Sequence, residues 1–122
     1  MFEVIVKKKI KAAHALLNYQ GGEEASHFHD WLIEVKLRSK QLDQAGCAID
    51  FAVVDKVLDE ILISIKDKAL NQLVCFENIS PSAENFAKYV YDKIGAALVL
   101  EQTSLMSVGV WEDEEHGVTY CE

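Results

Sequence analysis

The stretch from 27 to 37 alternates two kinds of residue, and this alternation constrains the fold more than any other feature of the sequence. Every second residue from position 31 is apolar: Trp31, Ile33, Val35 and Leu37. Side chains of a β-strand point alternately to opposite faces, so these four share one face, which predicts a half-buried strand from Trp31 to Arg38. His27 and His29 have the same parity and therefore point to the same apolar face.

Two histidines at the start of this strand would point to its covered side, which is unusual for plain surface residues. A third histidine, His14, follows another predicted strand, Phe2 to Ala13. Three neutral imidazoles that leave a fourth position open are the ligand set of a catalytic zinc site. We therefore predict that His14, His27 and His29 bind Zn²⁺. The alternative is that the His-x-His pair arose by chance in a loop.

Length and composition fit one domain, residues 1–122, with 50% apolar and 26% charged residues. The net charge of -8 argues against nucleic acid or an anionic membrane as a partner. No apolar run is long enough to cross a bilayer, and the N-terminal charges follow the apolar residues, which is the reverse of a signal peptide. We therefore expect a cytoplasmic protein.

The cysteines and the basic run are less informative. Cys47, Cys75 and Cys121 share no metal-ligand or redox spacing, so we expect reduced and mostly buried thiols. The run Lys7 to Lys9 would divide between the two faces of a strand and form a solvated rim. Alternatively, one of these lysines faces an anionic substrate.

Two helices are predicted in the middle of the chain. Asp50 is a candidate N-cap for a helix from Phe51 to about Lys66. The pair Ser80-Pro81 is typical of a helix start, a capping hydroxyl followed by proline at the first helical position, and this helix extends to about Ala97. The apolar stripe of the first helix contains Phe51, Val54, Leu58, Ile61, Leu62 and Ile65.

Two further strands, Ser104 to Glu112 and Val118 to Cys121, complete the order ββααββ, with residues 113–117 as the turn between them. Runs of strands and runs of helices favour an α+β fold, a four-stranded antiparallel sheet with two helices packed on one face. The open edges of such a sheet favour pairing between subunits, so we expect a homo-oligomer.

Six short motifs, in this order, resemble those of the 6-pyruvoyltetrahydropterin synthase and 6-carboxytetrahydropterin synthase family. They cover nearly the whole chain. They are Lys11-Ala12-Ala13-His14, Ser26-His27-Phe28-His29, Gly46-Cys47-Ala48-Ile49-Asp50-Phe51, Leu70-Asn71, Ser80-Pro81-Ser82-Ala83-Glu84-Asn85-Phe86-Ala87 and Val110-Trp111-Glu112.

The resemblance implies the tunnelling fold, in which subunits join their sheets into barrels, as hexamers or similar assemblies, with active sites at subunit interfaces. It implies a zinc-dependent lyase that acts on the side chain of a 7,8-dihydroneopterin or its triphosphate, in pathways such as those to tetrahydropterin, queuosine and folate. Carried over residue by residue, His14, His27 and His29 hold the zinc. Glu112 accepts hydrogen bonds from the amino group and ring N–H of the pterin.

The chain departs from the family pattern at the catalytic groups. The family's catalytic cysteine falls on Glu23, its Asp-His pair falls on Lys66-Asp67, and the glycine of its His-Gly-His motif is Phe28. A general base needs reach and a suitable pKa, so Glu23 or Glu24 could replace the thiolate. A subgroup of the family uses a glutamate here and cleaves a carbon–carbon bond. The alternative is that both are solvated loop acids.

Two functions follow from this comparison. The first is an enzyme that eliminates triphosphate or cleaves a carbon–carbon bond of its dihydropterin substrate, with a glutamate as base. The second is a non-catalytic homologue that retains metal binding, pterin binding or a role in assembly. Intact zinc ligands and Glu112 favour the first, whereas the missing cysteine and histidine favour the second. His116 is interpreted as a turn residue rather than a ligand.

Overall fold

The computed structural model describes all residues from Met1 to Glu122 and contains one sheet and two α-helices. The elements are β1 (Phe2–His14), β2 (His27–Ser39), α1 (Phe51–Leu62), α2 (Ala83–Ala97), β3 (Thr103–Trp111) and β4 (Gly117–Tyr120). Two short 3-10 turns, Leu70–Gln72 and Val74–Phe76, lie between the helices. The predicted order ββααββ is confirmed.

The sheet is antiparallel throughout, with its strands side by side in the order β1-β2-β3-β4. Its apolar face is covered by the helices. Residues 31, 33, 35 and 37 of β2 are completely buried, as their alternation predicts, and pack against buried residues of both helices. The opposite face carries the polar residues of β1 and β2, so the sheet has one covered face and one open face.

Pairing of the first two strands brings the histidines together. His14 is directly opposite His27, and Ala12 is opposite His29. Both strands are longer than predicted, since β1 includes His14 and β2 begins at His27. The histidines are therefore fixed by the ladder itself, and not by a loop before it.

Both predicted helices have different ends in the structure. Asp50 caps α1 as expected, because its carboxylate accepts from Ala52 N–H at 2.9 Å, but α1 ends at Leu62 and not near Lys66. Phe51 was wrongly assigned to the apolar stripe, since it is the first residue of α1 and is 61% exposed. The predicted cap of the second helix was also wrong, since Ser82, two residues after Ser80, is the N-cap of α2.

The prediction for the cysteines was wrong as well. Cys47, Cys75 and Cys121 are all exposed, since they lie in a loop, a short 3-10 turn and the C-terminal tail, where no strand or helix turns them to the core. The prediction of free thiols agrees with the structure. Neither helix is long and apolar enough to cross a membrane.

Candidate metal centre

Three imidazoles converge where β1 ends and β2 begins. Ring nitrogens of His14, His27 and His29 all lie within 4.8 Å of one another. The ring centroids are 4.7–5.0 Å apart, and each pair of rings is steeply inclined. His14 is 2% exposed, whereas His27 and His29 are partly exposed, so the cluster lies at the rim of the core with one side open.

Hydrogen bonds determine the tautomers of two of these rings. His14 Nδ1 lies 2.7 Å from the carbonyl oxygen of Pro81, and His27 Nδ1 lies 2.9 Å from that of Ala25. A carbonyl oxygen can only accept, so each Nδ1 carries the proton and each neutral ring has its lone pair on Nε2. This arrangement is typical of metal-ligating histidines, whose other nitrogen donates to an oriented acceptor.

The two lone-pair nitrogens face each other. His14 Nε2 and His27 Nε2 are 3.1 Å apart, and with both Nδ1 atoms protonated neither neutral ring can donate to the other. Nε2 of His29 is buried and has no hydrogen-bond partner. Burial lowers the pKa of His29, which keeps its ring neutral and able to bind a metal. Three imidazole nitrogens are a ligand set that Zn²⁺ takes in proteins.

Aromatic side chains pack against two of the candidate metal ligands, His14 and His29. Trp31 is fully buried, and its indole lies edge-on to His14 and His29 at centroid distances of 5.0 and 5.1 Å. Its Nε1–H donates to the carbonyl of Ala12 at 3.0 Å, and the Phe86 ring packs edge-on against the indole, with ring centroids 5.2 Å apart. These contacts restrict the rotamers of the two histidines, which preorganises the site.

Asn71 fixes the chain where it leaves the first ligand. Its Oδ1 accepts from Ala15 N–H and its Nδ2 donates to the Ala15 carbonyl, both at 2.9 Å. The sequence identified Leu70-Asn71 only through the family motif. No local pattern could predict that its side chain pairs with a residue 56 positions away.

Glu112 follows β3 and lies on the same side as the histidines. Its carboxylate oxygens are 3.7 Å from His14 Nε2 and 4.0 Å from His29 Nε2. The sequence singled out Glu112 as a substrate ligand but did not predict that it would approach two of the metal-ligand candidates.

The two candidate bases occupy different environments. Glu24 accepts weakly from Leu16 N–H at 3.3 Å, and its carboxylate lies 3.6 Å from His27 Nδ1. Glu23 is exposed and makes no hydrogen bond or ion pair through its side chain. The structure therefore places Glu24 beside the cluster and Glu23 in solvent.

A cavity of about 670 Å³ opens beside the cluster. His29 and Glu112 form one end of it, and Phe28, Trp111 and Lys9 form part of its walls. Phe28 points away from the metal ligands and is 53% exposed, with the Lys11 ammonium 5.3 Å from its ring centroid. The phenyl group that replaces the family's glycine thus lies on the other face of the strand and does not crowd the histidines.

The basic run divides between the faces, as predicted. Lys8 pairs with Asp59 at 3.1 Å and Asp55 at 3.6 Å on α1. Lys7 pairs with Glu34 at 3.6 Å and, with Lys9, lines the cavity. Lys9 has no ion-pair partner, but five carboxylates line the same cavity, so the cavity is acidic overall.

Three other residues discussed from the sequence lie outside the cluster. Lys66 and Asp67 are exposed, and the Asp67 N–H donates to the Lys11 carbonyl at 2.7 Å in a backbone conformation with φ of 61°. His116 is in the turn before β4, where its Nδ1 pairs with Asp113 at 2.9 Å.

The chain is similar to known proteins over nearly its whole length. A family model described as 6-pyruvoyl tetrahydropterin synthase matches residues 3–122. The structure of the Caenorhabditis elegans 6-pyruvoyl tetrahydropterin synthase is similar, with a TM-score of 0.81 at 21% identity over 100% of this chain and 97% of that one. The Plasmodium vivax enzyme has a TM-score of 0.81 at 17% identity, over 99% and 97% of the two chains.

A variant of the Plasmodium vivax protein is also similar, with a TM-score of 0.81 at 15% identity over 99% of this chain and 97% of that chain. It is described as a catalytic-residue mutant in which a glutamate is replaced by alanine. A search of curated proteins found no match to this chain. The shared architecture establishes that the chain has the tunnelling fold.

Proposed function

The chain belongs to the 6-pyruvoyl tetrahydropterin synthase family, and we propose that it is a zinc-dependent enzyme acting on the side chain of a 7,8-dihydroneopterin or its triphosphate. The family is one of lyase-type, pterin-processing enzymes. The observation that carries the proposal is the convergence of three imidazoles, two of which present lone pairs to each other at 3.1 Å. That arrangement favours a cation, and His29 is the one histidine of the three that also lines the cavity.

The proposed roles follow from where each side chain lies. A zinc ion held by His14, His27 and His29 would polarise substrate oxygens and lower the barrier to loss of a neighbouring proton. Glu112, at the boundary between the cluster and the cavity, would accept hydrogen bonds from the amino group and ring N–H of the pterin.

We assign the general base to Glu24 rather than Glu23. Glu24 is held beside His27, whereas Glu23 projects into solvent without a contact that would orient it. The comparison with the Plasmodium vivax protein supports a glutamate in a catalytic role within this fold. The base would remove a proton from the substrate side chain, followed either by loss of triphosphate with cleavage of its C–O bond, or by cleavage of a C–C bond.

The cavity also bears on the choice of substrate. Lys9 lies unpaired on its wall, and Lys7 lies beside it. Five carboxylates line the same cavity, those of Asp30, Glu34, Glu112, Asp113 and Glu114. Its charge therefore does not favour the triphosphate over the unphosphorylated compound.

We further propose that the active protein is a cytoplasmic homo-oligomer with its sites near subunit boundaries. β1 is an edge strand of 13 residues, and only its last part, around Lys11 and Ala13, is covered by the backbone of residues 67–69. Exposed Phe2 and Ile5 lie on the remaining edge. An uncovered edge of this length is a template for pairing with another subunit, and light scattering coupled to gel filtration would measure the assembly.

A non-catalytic homologue remains the second candidate, and one observation favours it. Lys66 and Asp67 fall where the family has its Asp-His pair, but both are exposed. The Asp67 N–H donates to the Lys11 carbonyl. Neither residue supplies a replacement for the lost histidine. A protein of this kind would bind zinc and pterin without converting the pterin.

The test is incubation of the zinc-loaded protein with 7,8-dihydroneopterin and, separately, with its triphosphate, followed by identification of products by mass. We expect a side-chain-shortened or triphosphate-free pterin from one of them, and no product from a His27→Ala variant. If fully zinc-loaded, correctly assembled protein binds the pterins but converts neither, the enzymatic proposal is wrong and the binding function is supported.

A further inference from the structure

The carboxylate of Glu112 has an unusual set of neighbours. It lies 3.7 Å from His14 Nε2 and 4.0 Å from His29 Nε2, and no N–H or O–H group of the protein donates to it. Its side chain is 32% exposed, so it is partly withdrawn from water. A carboxylate directed at the lone pair of His14 Nε2 is unfavourable unless a cation lies between them.

The separations fit a shared metal ion. Ligand atoms about 2 Å from a tetrahedral zinc are about 3–3.5 Å from one another. The distances of 3.7 and 4.0 Å from Glu112 exceed this spacing by between about 0.2 and 1.0 Å. A change in one side-chain torsion can supply a displacement of this size. The third ligand, His27, is already 3.1 Å from His14.

The backbone holds Glu112 in this place. Trp111 is the last residue of β3 and pairs with Leu32 of β2, and the Glu112 N–H donates to the His116 carbonyl at 3.0 Å. The turn that follows is stabilised by Asp113, whose carboxylate accepts from two backbone N–H groups at 2.8 Å. The main chain at Glu112 is thus anchored, while its carboxylate has no partner other than the imidazoles.

We propose that Glu112 is the fourth, exchangeable ligand of the metal in the substrate-free protein. The inference rests on the proposed zinc site and deepens it. With the carboxylate bound, the metal has four protein ligands and is closed. An entering substrate displaces the carboxylate, which is then free to accept hydrogen bonds from that substrate. The same side chain thereby closes the resting site and recognises the ligand that opens it.

The first test measures metal binding without turnover. We expect Glu112→Gln and Glu112→Ala to lower zinc affinity by about tenfold to a hundredfold in competition with a chromophoric chelator, because each removes a negatively charged ligand. Glu114→Gln is the matched control, since Glu114 is an exposed acid two residues away on the same cavity. Circular dichroism of each variant confirms that it is folded.

The second test reports on the coordination itself. In the Co²⁺-substituted protein, the visible absorption should change in intensity and position when Glu112 is replaced, and adding 7,8-dihydroneopterin to the wild type should also change it. Glu112 variants with wild-type zinc affinity and an unchanged Co²⁺ spectrum would overturn the inference.

These measurements distinguish a failure of the Glu112 inference from a failure of the proposed function. If Glu112→Gln loses pterin affinity but not metal affinity, Glu112 is a substrate ligand only, so this inference is wrong and the proposed function stands. If His27→Ala binds zinc as the wild type does, the metal site itself is wrong and both proposals fall.

Discussion

Nε2 of His14 and Nε2 of His27 face each other across 3.1 Å, while Nδ1 of each ring donates to a backbone carbonyl. The carbonyls of Pro81 and Ala25 therefore select the tautomer that exposes both lone pairs to the same point. A pair of neutral histidines packed only for stability would bridge one N–H to one lone pair. The opposing arrangement supports the proposed cation site.

Replacing one of the three ligands should release the metal. We expect His27→Ala to lower zinc affinity by more than about a hundredfold, since removing even an outer partner of a ligand commonly costs about tenfold to a hundredfold. Zinc content after gel filtration is measured by mass spectrometry. His116→Ala is the control, because His116 is exposed and pairs only with Asp113 in a turn. Unchanged zinc content in His27→Ala would contradict the assigned site.

Asn71 should stabilise the fold beyond its own turn. Asn71→Ala removes two hydrogen bonds to Ala15 and is expected to lower the free energy of unfolding by about 1–3 kcal/mol. Urea unfolding of the metal-free protein measures this, since bound zinc would add its own stabilisation. Gln72→Ala, at an exposed neighbour, should change stability by less than about 0.5 kcal/mol. Equal effects of the two substitutions would exclude a specific role for Asn71.

In the metal-free protein, the pKa of His29 should be lower than that of an ordinary histidine. Burial lowers the pKa of its imidazole, and the carboxylate of Glu112 opposes this shift by favouring the charged form. We expect the NMR titration of His29 to have its midpoint below the ordinary value of about 6.5. In Glu112→Gln the midpoint should fall further. A midpoint above 6.5, or one that rises in the variant, would show that burial is not the dominant influence.

The lowered pKa of His29 makes the folded protein less stable at acidic pH. Because the folded-state pKa of His29 is lower than the unfolded one, the unfolded chain binds more protons between the two values. The contribution of His29 to stability is therefore complete above about pH 6.5 and decreases as the pH falls through that window.

The sheet could be predicted from the sequence because its signal is local. The alternation along β2 placed Trp31 and the two histidines on the covered face, and the structure confirms that parity with full burial of Trp31. The convergence of His14 with His27 was also predictable in outline, since a ladder between two neighbouring strands brings their ends together.

The start of α2 shows what local patterns miss. Ser80 and Pro81 have a typical capping sequence, but the Ser80 hydroxyl accepts from Leu17 N–H at 3.0 Å and the Pro81 carbonyl accepts from His14. Both groups are engaged by residues more than 60 positions away, so the helix begins later, with Ser82 accepting from Asn85 N–H at 3.2 Å. The approach of Glu112 to the histidines is equally non-local.

Substitutions of the two candidate bases, Glu24 and Glu23, should have different effects on kcat. Glu24 is oriented by Leu16 and lies 3.6 Å from His27, whereas Glu23 is exposed on the same loop. If the protein is the proposed enzyme, Glu24→Gln should lower kcat by about a hundredfold or more, the usual contribution of a general base. Glu23→Gln should leave kcat within about twofold of the wild type, which makes it the matched control.

Zinc content and pterin affinity must be measured on the same preparations, because Glu24 also contacts the His27 ring and its loss could weaken the metal site. A fall in kcat with zinc content and pterin binding unchanged identifies Glu24 as the base. A fall in kcat that follows zinc content instead makes Glu24 a positioning residue for His27. If Glu23→Gln is the slower variant, the loop must close over the site when substrate binds, and the assignment made from the substrate-free geometry is wrong.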